Sequence, residues 1–135
     1  MKDHRALPAF QHVHELVLAV HEAIAQIPQG EGSALAARME SATHSAAAAI
    51  ARACAVPGEQ LGSQLDEASR RLREVGYYID IAQRLGYLPL DSAVELLERQ
   101  TLTSIEVNAE VNAEVNAMMP EIGPEDRGVP VPRNG

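Results

Sequence analysis

The chain has 135 residues and is 46% hydrophobic, but it contains one Phe, three Tyr and no Trp, and alanine supplies much of its apolar content. That length fits one domain, with a modest core that needs no metal or disulfide staple. So little aromatic bulk argues against a thick sheet-on-sheet core and for helices packed closely together. The formal net charge is −8, and the basic residues, Lys2 and ten Arg, are spread along the chain. Nucleic-acid binding draws on clustered Lys and Arg, so this balance disfavours it. Cys54 stands alone, which excludes an intrachain disulfide or a cysteine-based metal site and reads as a buried, inert thiol.

Residues 1–5 lead into Leu16-Val17-Leu18-Ala19-Val20, which His21 and Glu22 interrupt. The run is too short and too polar at its flanks for a signal peptide or a membrane span, so the expectation is a cytoplasmic protein without a membrane partner. The first helix is expected from about Pro8 to Ile27. Phe10, Val13, Val17, Val20, Ile24 and Ile27 alternate spacings of 3 and 4, as one helix face requires. Pro8 suits a first turn, and Pro28 with Gly30 stops the helix.

Ser33 can cap a second helix running to about Cys54. Its inward row, Leu35, Met39, Ala42, Ala46, Ala49 and Ala53, is mostly alanine, with Ile50 beside it. Small side chains let a neighbouring helix approach closely. Pro57-Gly58 makes the next break. The third helix has the clearest pattern: Leu61, Leu65, Ala68, Leu72, Val75, Ile79 and Ala82 hold spacings of 4 and 3. Gly76 interrupts it at about 1 kcal/mol against alanine, which points to close packing there. In Arg84-Leu85-Gly86-Tyr87-Leu88-Pro89, Gly86 can take a left-handed stop, Leu88 can fold back, and Pro89 prevents continuation.

Asp91 can cap a long fourth helix carrying Val94, Leu97, Leu102, Ile105, Val111 and Val115. Its periodicity is weaker, because Thr101, Ser104 and Asn108 fall on the expected seam. Residues 106–117 are three identical copies of Glu-Val-Asn-Ala. A four-residue period drifts by about 40° per copy around a 3.6-residue helix, so the row Val107, Val111, Val115 winds slowly across the surface. The repeat reads as a tandem duplication that lengthens the helix, or as rows of Val and Asn that pack on another subunit. Beyond Met119, the prolines and glycines between Pro120 and Gly135 forbid regular structure and indicate a flexible tail, solvated or docked on a partner. The expected organisation is therefore a bundle domain over 1–119 and a Pro/Gly-rich tail over 120–135. The fold class is all-α, an up-down-up-down antiparallel four-helix bundle with short connections.

Candidate chemistry is thin. His12 and His14 are two apart and point to different sides of a helix. His14 and His21 share a side but lie two turns, about 10 Å, apart, too far to grip one ion. No Glu precedes a His by three positions, so the di-iron bundle pattern is missing; the histidines read as surface or interface residues. Ser41, Thr43 and Ser45 flank His44 without converging as a triad must, and no phosphate loop or nucleophile elbow occurs. No catalytic, cofactor or metal site is expected, and the chain does not read as an enzyme. The densest basic cluster, Arg70, Arg71 and Arg73, is flanked by Asp66, Glu67 and Glu74. It reads as a solvated helix face or, alternatively, as a phosphate site.

The stretch Arg71 to Leu88, RLREVGYYIDIAQRLGYL, resembles the third helix and turn of the bacterial four helix bundle protein family, also known as the 23S rRNA intervening-sequence proteins. Members carry an acidic residue at the position of Glu74 and an Ala-x-x-Leu-Gly-Tyr-Leu ending, here Ala82 to Leu88. Residues 44–53 are similar to that family's Ser-Ile-x-x-x-Ile-Ala-Glu-Gly helix, with Arg52 and Ala53 where Glu and Gly are usual. Leu7 to Pro28 is similar to its first helix. The resemblance spans about residues 7–105 and implies an up-down four-helix bundle assembled into a homo-pentamer. Relatives include accessory proteins of diversity-generating retroelements, which are basic, bind nucleic acid and partner a reverse transcriptase.

Two functions follow as expectations. The first is a non-enzymatic, self-assembling scaffold or protein-interaction module, whose last helix carries polar seam positions suited to a second interface. The second is an accessory protein that binds RNA or DNA through Arg70, Arg71 and Arg73, multiplied by oligomer symmetry, with Glu74 at its edge.

Overall fold

A computed structural model describes residues 8–56 and 58–118. They form four helices in chain order: α1 Pro8–Ile24, α2 Ser33–Ala53, α3 Gly58–Arg84 and α4 Leu90–Met118. The helices close a square. α1 packs on α2, α2 on α3, α3 on α4 and α4 back on α1, while the diagonal pairs keep their backbones apart. Cross-links give the directions. Arg99 reaches Glu15 and Ser92 reaches Gln26, so α4 runs antiparallel to α1. The Tyr87 hydroxyl donates to the Glu31 carbonyl at 3.3 Å, which ties the α3–α4 turn to the α1–α2 connection at one end of the bundle. This is the expected all-α four-helix bundle. The expected tail, residues 120–135, lies outside the described residues.

The core follows the alternating spacing closely in α2 and α3. Met39, Ala42, Ala46, Ala49, Ile50 and Ala53 of α2 are buried, as are Leu65, Ala68, Leu72, Val75, Ile79 and Ala82 of α3. In α1 the inward face is rotated from the expected one. Ala9, Val13, Leu16, Val20 and Ala23 are buried, whereas Phe10 and Ile24 pack at the edge of the core. Two interleaved rows compete in that helix, and burying the row with Leu16 and two alanines lets α2 and α4 approach. α1 also ends at Ile24 rather than Ile27. The N–H groups of Ala25, Gln26 and Ile27 turn to carbonyls three residues back, at 3.3, 2.9 and 3.1 Å. This tightening satisfies the last carbonyls and still delivers Ile27, 5% exposed, to the core.

The α3 stop forms as its sequence requires. Gly86 has φ +78°, the Tyr87 N–H reaches the Ala82 carbonyl at 2.8 Å and the Gly86 N–H reaches Gln83 at 3.0 Å. That is a Schellman pair, and the buried Leu88 supplies its apolar closure. The two expected N-caps form differently. Ser33 is already helical, and Gly32 occupies the cap without a side-chain bond. Ser33 Oγ instead accepts from the Gly30 N–H at 2.9 Å, holding the connection. Ahead of α4, the Pro89 carbonyl takes the first helical bond, from the Ala93 N–H at 3.0 Å. Asp91 therefore sits inside the first turn, where its charge suits the helix dipole.

Candidate functional site on the outer face of the last helix

α4 differs from the other helices in having two apolar rows. Ala93, Leu96, Thr103 and Val107 turn into the bundle and are buried, with Leu97 and Val111 packed against that core. Of the residues expected on its inward seam, Val94, Leu102, Ile105 and Val115 are instead exposed, at 45%, 48%, 55% and 44%. A helix in a square bundle can bury about one stripe, and α4 buries the row whose members are smaller or capable of internal hydrogen bonding. Thr103, fully buried, donates its hydroxyl to the Arg99 carbonyl at 2.8 Å and so carries no open polar group into the core. The weak periodicity of α4 was the available signal: two offset rows of 3 and 4 spacing blur each other.

Val94, Leu97, Glu98, Thr101 and Leu102 line a shallow apolar depression on this outer face. Leu90, 65% exposed, extends it toward the start of the helix and Ile105 toward the repeat. Val107 is fully buried, Val111 is at the core's edge and Val115 is exposed, as are Asn112, Ala113 and Asn116 around it, so this end of the helix leaves the core on every described side.

One flank of the depression is acidic. Asp91, Glu95 and Glu98 are spaced 4 and 3 and are all exposed, so they form a row beside Val94 and Leu102. Arg99, the sole basic residue of α4, pairs with Glu95 of that row and with Glu15 of α1, both at 3.3 Å. Glu98 pairs with no cation among the described residues.

Of the sequence-derived candidates Arg70, Arg71, Arg73 and Glu74, three are joined in one ion-pair chain through Glu67, and Arg73 has no part in it among the described residues. Arg71 and Glu74 turn toward α2, where they line a small depression with Ala37, Arg38, Ser41, Ala42 and Tyr78. There Arg71 is held at both sides, by Glu67 at 2.9 Å and by Glu74 at 2.9 Å. Arg70 also pairs with Glu67. Arg73 is exposed and lies three residues before Gly76, on the flank that faces α4. The hydrogen bond and charge of Glu74, with Glu67 behind them, raise the Arg71 pKa above its ordinary value. For Glu67, burial works to raise the carboxyl. The charges and hydrogen bonds of Arg70 and Arg71 outweigh it and hold the group below the usual carboxylate range.

The histidines stay apart. His14 stacks on Phe10 with centroids 6.0 Å apart, His21 lies 3.4 Å from a Glu40 carboxylate oxygen, and His44 lines an open surface with Ser41 and Ser45. Among the described residues no group of three or more His, Cys, Asp or Glu side chains is placed to hold a metal ion. Cys54 is half-buried, its Sγ 3.7 Å from the Ile50 carbonyl. No described helix is long and apolar enough to cross a membrane.

These features define a class: an all-α four-helix bundle whose last helix keeps a second apolar row outside the core. No protein-family model matches the chain, and no curated protein matches it at a significant level.

Proposed function

We propose that this chain is a non-enzymatic, self-assembling four-helix-bundle protein of the cytoplasm that serves as a scaffold or protein-interaction module. The observation that carries the reading is the exposed row Leu90, Val94, Leu102 and Ile105 on a helix already anchored by its opposite face. Water ordered over a contiguous apolar row is released when another polypeptide covers it, and such rows mark interaction surfaces. The resemblance of Arg71–Leu88 to the bacterial four helix bundle proteins supports membership of that family and makes five chains the expected assembly.

Size-exclusion chromatography with light scattering tests this directly. Mass should be read by refractive index, because a chain with no Trp absorbs weakly. The expected result is a discrete oligomer; a strict monomer across a wide concentration range removes the self-assembling part of the proposal. The nucleic-acid reading is less well supported, because Arg70 and Arg71 are each engaged by a carboxylate and the chain carries −8. Retention of labelled RNA or DNA at low salt would reverse that preference.

A further inference from the structure

We draw no further inference here: the strongest candidate, the exposed apolar row of Leu90, Val94, Leu102 and Ile105 on the outer face of α4, carries none, because nothing in the structure shows what covers it.

Discussion

Gln100 on α4 donates its side-chain amide to the Leu72 carbonyl of α3 at 3.0 Å, and Gly76 sits directly beneath it. A Cβ built on Gly76 meets the Gln100 amide group at 3.4 Å, ordinary contact distance. The close packing expected at this glycine is therefore with one flexible polar side chain rather than with the backbone of a neighbouring helix.

Gly76→Ala should then stabilise the protein by about 0.5–1 kcal/mol, because alanine gains helix propensity without displacing backbone. Urea denaturation read by circular dichroism checks this. A destabilised Gly76→Ala would mean that Gln100 cannot yield and that its bond to Leu72 is lost.

Gly32 behaves oppositely. A Cβ there runs into the Ile27 methyl and falls 2.8 Å from the Pro28 carbonyl oxygen. Gly32→Ala is expected to cost about 1–3 kcal/mol through overpacking. Gly86→Ala, at φ +78° in open space, should cost about 1 kcal/mol from backbone conformation alone. The paired denaturation curves distinguish a steric from a conformational glycine.

The core contains two fully buried threonines, and Thr43 returns its hydroxyl to the Met39 carbonyl at 2.7 Å. Thr43→Val should change stability by less than about 1 kcal/mol, since the carbonyl keeps its helical partner when the hydroxyl is removed with it. Ile50→Ala, which empties a fully buried site, should cost about 2–5 kcal/mol. Chemical denaturation of the two variants should therefore give clearly separated midpoints.

Glu67 gives the molecule an acid-dependent contact. Its carboxyl is held below the ordinary range against the effect of burial, by the Arg70 and Arg71 charges. A depressed pKa contributes stability that is fully present above the unfolded-state value and is lost as pH falls through the folded-state value. Glu67→Gln should lower the melting temperature slightly at neutral pH, and the gap to wild type should close in acid below the carboxylate range. A gap that stays constant all the way through acid titration of the carboxyl would show that the difference does not come from the Glu67 charge.

How much was legible varies from helix to helix for identifiable reasons. In α3 the row from Leu65 to Ala82 is unopposed by any other apolar row, so spacing alone identifies the buried face. In α1, Val13 and Val20 belong to both candidate faces, and the sequence does not separate Leu16 from Val17 as the inward neighbour. In α4 the apolar residues number enough for two faces, and spacing does not say which of them enters the core. The basic cluster shows a different limit. Arg70, Arg71 and Arg73 are close in sequence, but adjacent helical residues diverge by about 100°, so spacing does not say that Arg71 faces α2 while Arg73 stays exposed to solvent.

The sequence by itself determined the helices, their breaks and the class of fold, because these depend on local spacing, on proline and glycine, and on how small the alanine-rich α2 face is. The Schellman stop at Gly86 belongs to the same category. Only the tertiary structure decided which row of α4 enters the bundle and which remains outside. That choice depends on the space left between α1 and α3, where Arg99 meets Glu15 and Gln100 crosses Gly76. Such space is a property of the assembled helices, and no single helix encodes it.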